Sequence, residues 1–196
     1  MQLIDNDIVL GEGIFDAQEL KKVIEICEKE LSKTGCPDTT DLDCSTLSYD
    51  SFSGFIKKNP ETKFMFERFA KYAKNINDTY FQLDLTAVMP KGFLFTKYDT
   101  PGGHLGWHTD KKEHSKTVGT EIPNTIRKMA IALQLSDPSE YKGCDMQIIA
   151  DQGLKEIPKK KGSFYCIPGY VQHQITPLIS GKRIVLIAWY VGPKFK

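Results

Sequence analysis

Residues 161–193 read KGSFYCIPGYVQHQITPLISGKRIVLIAWYVGP, and this stretch decides the fold class. Its apolar runs are short, rich in β-branched and aromatic residues, and interrupted by Gly and Pro. Such runs are typical of β-strands separated by turns. The longest run, RIVLIAWY at residues 183–190, is apolar on both faces after its first residue, which predicts a strand buried on both sides.

Similar runs occur along the preceding 80 residues, again separated by Gly, Pro and Asp. The pattern predicts strands near 81–89, 92–98, 105–110, 128–135, 145–150, 163–167, 173–176 and 183–191. Many short strands at such spacing indicate an all-β sandwich or barrel.

The first third of the chain is predicted to be helical. Residues 15–31, FDAQELKKVIEICEKEL, are apolar with a helical period, and Asp16 and Glu19 have the spacing of a capping box. A second helix is predicted to begin at Asn59-Pro60 and to present aromatic side chains to the core. These are Phe64, Phe66, Phe69 and Tyr72. Residues 33–58 lack periodicity and are predicted to form a long loop.

Together these patterns predict an α+β fold, in which a double-stranded β-helix (jelly-roll) core is buttressed by N-terminal helices. No linker divides the 196 residues, so we expect one domain. Its helical support would span about residues 1–78 and its jelly-roll core about residues 79–193.

Composition limits the functional classes. The net charge is +1, so nothing demands a nucleic-acid surface. The absence of a long apolar run and of a signal-peptide pattern predicts no membrane association and a cytoplasmic location. Five cysteines without a CxxC pair argue against a disulfide framework and a structural zinc ribbon.

Three residues form a candidate metal site. In GWHTD, His108 and Asp110 are two residues apart, so on a strand they share one face. His173 supplies a second imidazole. Two His and one carboxylate make the facial triad of non-haem Fe(II) oxygenases, which leaves coordination positions open. A structural zinc site would be closed and usually contains cysteine.

Arg183 begins the apolar run RIVLIAWY, ten residues after His173. Burying a guanidinium in such a strand is costly unless it is paired. Its partner is either a carboxylate of the protein or an anionic ligand, since Arg binds carboxylates in a bidentate manner. A dicarboxylate could chelate the metal with one end and pair with Arg183 at the other.

Because these features follow one another along the chain, residues 78–193 resemble the 2-oxoglutarate- and Fe(II)-dependent dioxygenases. More specifically, they resemble the prolyl 4-hydroxylase branch and its bacterial PKHD-type hydroxylases. It rests on the His-x-Asp pair, the strand ending in LSDPSEYKG, the P-x-Y-x-x-H segment and an Arg ten residues past the distal His. Residues 1–75 carry no such match.

The resemblance implies a role for each site residue. His108, Asp110 and His173 would ligate Fe(II), and Arg183 would bind the far carboxylate of 2-oxoglutarate. Tyr98 would donate a hydrogen bond to the same carboxylate. Gln134 and Trp189 would line the cosubstrate pocket. O₂ would be the second cosubstrate, and ascorbate is a further expected ligand.

The implied activity is hydroxylation of an unactivated C–H bond, with succinate and CO₂ as co-products. The resemblance favours a prolyl residue in a protein or peptide as substrate, and a free amino acid or another small molecule is the alternative. A nucleic-acid demethylase is disfavoured, because that branch carries a second arginine where this chain has Trp189. A jelly-roll binding module without activity remains a further reading.

Overall fold

Two large β-sheets, a two-stranded ribbon and two α-helices make up most of the part of the chain that this computed structural model describes, residues 1–34, 51–111, 122 and 124–194. Within these ranges no helix has the length and hydropathy needed to cross a membrane. The helices are α1 (Ala17–Thr34) and α2 (Lys63–Ile76). The strands are β1 (Gln2–Asp5), β2 (Ile8–Glu12), β3 (Ser51–Ile56), β4 (Ala87–Val88), β5 (Phe93–Tyr98), β6 (Leu105–His108), β7 (Thr125–Gln134), β8 (Tyr141–Gly143), β9 (Met146–Ala150), β10 (Gly153–Glu156), β11 (Ser163–Pro168), β12 (His173–Ile175), β13 (Leu178–Gly181) and β14 (Arg183–Pro193).

The strands are arranged as an antiparallel jelly-roll, which confirms the predicted fold class. The larger sheet has the order β1-β2-β11-β7-β14-β5-β3, with β4 added beside β14. The smaller sheet has the order β10-β9-β12-β6, and β13 pairs with β8 as a separate ribbon. The candidate site residues lie on or next to strands of both sheets. The packing of one sheet on the other therefore determines the distances between them.

The larger sheet is covered on both faces, which explains its long apolar strands. All ten residues of β7 are buried. One face of this sheet packs against α1 and α2, where Phe93 stacks on Phe66 with ring centroids 4.0 Å apart. The other face packs against the smaller sheet and carries Val185 and Trp189. Side chains of β14 therefore alternate between a helix-facing core and the jelly-roll interior.

Both predicted helices form, and the N-terminus of α1 is capped as predicted. The Asp16 side chain accepts hydrogen bonds from the backbone N–H groups of Gln18 and Glu19, and the Asp16 N–H donates to the Glu19 carboxylate. This is the predicted capping box. The aromatic residues of α2 contribute to the helix-facing core, with Phe69 fully buried. Their prediction as core residues is confirmed.

Two predicted boundaries were wrong. Helix α2 begins at Lys63 rather than at residues 59–60. The Asn59 side chain accepts the N–H groups of Glu61 and Thr62, so it caps a turn that leads into the helix. The predicted strand at 81–89 reduces to Ala87–Val88. A π-helical turn continues α2 through Phe81 and ends at Gln82, whose φ of 50° is left-handed.

The N-terminal part of the chain contains strands that the sequence analysis missed. Strands β1 and β2 form an antiparallel hairpin that extends the larger sheet beyond β11. Strand β3, within the stretch predicted as a loop, pairs with β5 along its whole length. The remainder of that loop, residues 35–50, lies outside the described residues. The first third thus supplies both helical support and part of the sheet.

Candidate functional site

His108 and His173 occupy directly opposite positions on the neighbouring antiparallel strands β6 and β12. Opposite residues of an antiparallel pair project from the same face of the sheet. Here that face is the jelly-roll interior, and the two imidazole rings lie with centroids 4.2 Å apart. The β-sheet register, rather than proximity in sequence, therefore brings the two histidines together.

Backbone carbonyls fix the orientation of both rings. Nδ1 of His108 lies 2.7 Å from the Gly106 carbonyl oxygen, and Nδ1 of His173 lies 2.9 Å from that of Val171. A carbonyl can only accept, so Nδ1 carries the hydrogen in each ring. Nε2 of each ring therefore faces the site, as in metal-binding histidines oriented by an outer partner.

Asp110 completes the cluster. Its Oδ1 lies 3.9 Å from His108 Nε2, and its Oδ2 lies 3.9 Å from His173 Nε2. Among the described residues, these three form the one group of at least three His, Cys, Asp or Glu side chains whose ligand atoms lie within 4.8 Å of one another. Asp110 and His173 are buried, whereas the His108 side chain keeps 15% of its surface exposed. The cluster therefore opens to solvent on the His108 side.

The backbone next to Asp110 is tied to the larger sheet. The Lys111 N–H donates to the Gly169 carbonyl at 2.7 Å, and the Gly169 N–H donates to the Lys128 carbonyl at 2.7 Å. A Cβ atom at Gly169 would lie 2.3 Å from the Arg127 carbonyl oxygen. Only glycine allows this close approach, which holds Asp110 beside β7.

The surroundings of Asp110 keep it ionised. Burial alone would raise its pKa, but His173, Arg127 and His108 outweigh this effect and hold the pKa of Asp110 below its ordinary value. The buried Arg127 guanidinium stacks on the Trp189 ring, with Cζ 4.1 Å from the ring centroid. The Trp189 indole N–H also lowers the pKa of Asp110, although it makes no hydrogen bond of normal geometry.

This arrangement fits a divalent metal ion. Two atoms that each lie about 2.1 Å from one ion cannot be more than about 4.2 Å apart, and the 3.9 Å separations satisfy this limit. Two neutral imidazoles and one carboxylate suit Fe(II) and leave coordination positions for other ligands. The donor set contains no cysteine, unlike most structural zinc sites.

A second polar cluster surrounds Arg183, which is 3% exposed. Arg183 Nε donates to Gln134 Oε1 at 3.2 Å, and Gln134 Nε2 donates to the Tyr141 hydroxyl at 2.7 Å. Nη1 of Arg183 is buried and has no hydrogen-bond partner. The structure provides no carboxylate for this guanidinium among the described residues, so the reading of Arg183 as an internal ion pair loses support.

Tyr98 is the cross-strand neighbour of Arg183. The guanidinium carbon lies 5.6 Å from the centre of the Tyr98 ring, and the tyrosine is almost fully buried. Burial raises the pKa of Tyr98 to about 12, despite the opposing effect of Arg183. The phenol therefore remains protonated at neutral pH and keeps a hydrogen to donate.

Arg183 and Gln134 line a cavity of about 580 Å³ between the two sheets. The small side chain of Ala132 leaves room for this cavity, and Tyr141, Cys144 and Tyr165 contribute further walls. Tyr165 is itself buried at this wall of the cavity. Burial raises its pKa above the ordinary value, Arg183 opposes this shift, and Asp110 adds to it. His108, Asp110 and His173 are not among the residues that line this cavity.

The structure thus brings the predicted residues into two groups. His108, Asp110 and His173 converge, and Arg183 lies with Tyr98 and Gln134 nearby. Trp189 is inside the jelly-roll as predicted but contacts Arg127 rather than lining the cavity. Of the two other histidines, His104 lies in the segment before β6, with Nδ1 2.8 Å from the Gly102 carbonyl oxygen, and His114 lies outside the described residues.

Sequence reasoning missed four side chains of the site: Arg127, Tyr141, Cys144 and Tyr165. Tyr165 could have been found, because it alternates with buried residues of a predicted strand and so shares the inward face of Ile167. Arg127 lies at the beginning of β7, before the predicted strand. Tyr141 begins the unpredicted strand β8 and Cys144 follows it; Tyr141 stands within the LSDPSEYKG motif, but the motif alone assigned it no role.

Comparison with curated proteins identifies sequence relatives, whereas no protein-family model matches the chain. A PKHD-type hydroxylase from Azoarcus sp. (strain BH72) is 30% identical over 114 residues, covering 57% of this chain and 48% of the relative. One from Shewanella baltica (strain OS155) is 31% identical over 109 residues, covering 54% and 46%. A third, from Prochlorococcus marinus (strain MIT 9211), is 26% identical over 172 residues, covering 84% and 74%. The chain spans about half the length of the first two relatives.

Solved structures show the same fold over nearly the whole chain. A prolyl 4-hydroxylase from Pseudomonas putida aligns with a TM-score of 0.69 and 13% identity, covering 96% of this chain and 94% of that one. A Trichoplax adhaerens prolyl hydroxylase in complex with a hypoxia-inducible factor peptide aligns with a TM-score of 0.72 and 10% identity, covering 94% and 83%. The predicted resemblance to 2-oxoglutarate- and Fe(II)-dependent dioxygenases of the prolyl 4-hydroxylase type is confirmed.

Proposed function

We propose that this relative of the PKHD-type hydroxylases is an Fe(II)- and 2-oxoglutarate-dependent dioxygenase. It would hydroxylate an unactivated C–H bond, with a prolyl residue of a protein or peptide as the favoured substrate. Succinate and CO₂ would be the co-products. The proposal joins the sequence relationship to two features of this chain, the His–Asp–His cluster and the buried guanidinium of Arg183, which lines a cavity.

The observation that carries the proposal is the pairing of an open metal cluster with an unsatisfied buried cation. Nη1 of Arg183 has no hydrogen-bond partner although it is buried. A buried donor left unpaired is costly, and guanidinium groups bind carboxylates strongly. A dicarboxylate with a 2-oxo acid at one end would satisfy Arg183 with its far carboxylate and still reach His108, Asp110 and His173.

Each residue has a defined task in this proposal. His108, Asp110 and His173 would hold the iron, while the carbonyls of Gly106 and Val171 keep both rings oriented. Bound iron and 2-oxoglutarate would supply the oxidative chemistry that activates O₂. The apolar walls of the jelly-roll would exclude water from it. Tyr98 and Arg183 would fix the far carboxylate, which orients the cosubstrate toward the metal.

The prolyl substrate is favoured by the kind of proteins to which the chain is similar. One of the structural neighbours is a prolyl hydroxylase in complex with a peptide. In this chain the metal cluster opens on the side of His108, next to the partly exposed Trp107. An extended peptide could approach there. A free amino acid or another small molecule is the alternative substrate.

The two other functional classes, a nucleic-acid demethylase and a binding module without activity, gain no support. A nucleic-acid demethylase of this superfamily would place an arginine at position 189, whereas Trp189 there is buried against Arg127. A binding module without activity would not need to retain three convergent ligands and a buried guanidinium.

The test is a turnover assay with Fe(II), 2-oxoglutarate and O₂. Proline-containing peptides, free amino acids and nucleotides would be screened for succinate release and for the mass gain of one oxygen atom. We expect peptides to gain oxygen, and Asp110→Ala to abolish both signals. Omitting ascorbate tests whether it is needed to sustain turnover. Absence of succinate with every substrate class, combined with absence of iron binding, would refute the proposal.

A further inference from the structure

Tyr141 is a buried side chain beside Arg183 to which neither the sequence analysis nor the proposed function gives a role. It lies at the beginning of β8, is 4% exposed and lines the cavity together with Arg183 and Gln134. Its hydroxyl accepts the Gln134 amide hydrogen at 2.7 Å. Its ring lies beneath the Lys159 ammonium, whose Nζ is 5.0 Å from the ring centre.

The guanidinium fixes the direction of every hydrogen bond in this chain of contacts. Arginine has donors and no acceptor, so the atom of Gln134 that faces Arg183 Nε at 3.2 Å must be the amide oxygen. The amide nitrogen of Gln134 therefore faces Tyr141 and donates to it. The orientation of the amide, which is often ambiguous, is settled here by Arg183.

These donor and acceptor roles leave the Tyr141 hydroxyl hydrogen without an acceptor. The phenol oxygen accepts from Gln134, and among the described residues no acceptor takes its own O–H. Burial raises the pKa of Tyr141, partly opposed by Arg183, so the hydroxyl remains protonated at neutral pH. A buried O–H without an acceptor is costly, like the unpaired Nη1 of Arg183.

We propose that Tyr141 donates its hydroxyl hydrogen to the far carboxylate of the cosubstrate, and that Gln134 orients it for this purpose. This inference rests on the proposed function, because it takes a 2-oxo dicarboxylate as the ligand of the cavity. Arg183 Nη1, Tyr98 and Tyr141 would then surround one carboxylate with three donors. Gln134 would touch Arg183 and Tyr141 and act as a positioning residue.

Lys159 holds the Tyr141 ring in this orientation. Its ammonium donates to the Gly143 carbonyl at 2.8 Å and pairs with the Asp145 carboxylate. Lys159 thereby connects the loop before β11 to the turn that follows β8. The Tyr141 ring is confined between this cation and the cavity, so little conformational freedom would be lost when its hydroxyl binds an anion.

Calorimetric titration tests the inference. The ligands would be 2-oxoglutarate and 2-oxopentanoate, in which a methyl group replaces the far carboxylate. Each would be titrated into the full chain loaded with Mn(II), which does not turn over. Tyr141→Phe keeps the ring beneath Lys159 and removes only the O–H. Tyr72→Phe is the matched control, because Tyr72 donates to the Gly13 carbonyl at 2.6 Å on the helical side of the molecule.

We expect Tyr141→Phe to weaken 2-oxoglutarate binding about ten- to a hundredfold, the value of one hydrogen bond to a charged acceptor. Binding of 2-oxopentanoate should be unchanged, and Tyr72→Phe should bind both ligands as the unmodified chain does. Equal 2-oxoglutarate affinity in Tyr141→Phe, or an equal loss for both ligands, would overturn the role of Tyr141 alone. If the unmodified chain does not bind 2-oxoglutarate, the proposed function itself fails.

Discussion

His108 and His173 face each other across two antiparallel strands, and each ring is held by the carbonyl of the residue two positions earlier. The register of β6 against β12 therefore presents two Nε2 lone pairs to Asp110 before any metal is bound. Preorganisation of this kind reduces the entropy lost on binding. The site consequently allows direct tests of which side chains are ligands.

Removing one imidazole should eliminate metal binding. His108→Ala leaves two ligands, so we expect stoichiometric Fe(II) or Mn(II) binding to be lost, as measured by metal content after equilibrium dialysis. His104→Ala is the matched control, because its Nδ1 also lies 2.8 Å from a carbonyl two residues earlier but its ring is outside the cluster. Full metal content in His108→Ala would contradict the ligand assignment.

Removing the buried guanidinium should weaken use of 2-oxoglutarate. Arg183→Ala leaves the far carboxylate in a mostly apolar cavity, which costs at least about 2 kcal/mol, or roughly thirtyfold. The measurement is the 2-oxoglutarate concentration that gives half-maximal succinate production. Arg68→Ala should have no such effect, since Arg68 pairs with Glu19 on the surface. An unchanged requirement in Arg183→Ala would exclude this role.

Gly169 should be needed to place Asp110. In Gly169→Ala the new Cβ would meet the Arg127 carbonyl oxygen at 2.3 Å, so the loop that binds the Lys111 N–H must shift. We expect a loss of about 1–3 kcal/mol in the free energy of unfolding together with weaker metal binding. Urea denaturation and metal titration measure the two effects.

A substitution at a second crowded glycine separates the effect on stability from the effect on metal binding. Gly54→Ala would place its Cβ 2.2 Å from a methyl carbon of Leu31, on the helix-facing side. It should lower stability and leave metal affinity intact. If Gly169→Ala behaves in the same way, the placement of Asp110 does not depend on this contact.

The capping box of α1 should contribute to stability and not to the site. Asp16→Ala leaves the N–H groups of Gln18 and Glu19 without their side-chain acceptor. A loss of about 1 kcal/mol in the free energy of unfolding is expected from urea denaturation, with unchanged metal binding. Glu67→Ala, an exposed change within α2, should cost less. Equal stability of Asp16→Ala and the unmodified chain would show that the cap is dispensable.

The sequence predicted the strands whose apolar pattern is strong and local. Strands β5, β7, β11 and β14 were found within a few residues, because burial on both faces produces long apolar runs. The missed strands are β1, β2, β3, β8, β10 and β13. They are short or mixed in polarity, and pairing with a distant strand stabilises them more than their own residues do.

The candidate site was predictable where spacing along one strand or a family motif was sufficient. His108 and Asp110 are two residues apart, and Arg183 begins the most apolar strand of the chain. The Gln134 and Tyr141 contacts were not predictable. They depend on how β7, β8 and β14 meet in space, and hydrogen-bond partners across sheets leave no periodic signal.

The most direct test of the central claim is the dissociation constant of 2-oxoglutarate measured by calorimetry with and without bound Mn(II). We expect one equivalent to bind, with an affinity that depends strongly on the metal. Asp110→Ala, which removes a metal ligand, and Arg183→Ala, which removes the anion partner, should each eliminate tight binding. The same affinity with and without metal, or in Asp110→Ala, would contradict a cosubstrate held between the His–Asp–His cluster and Arg183.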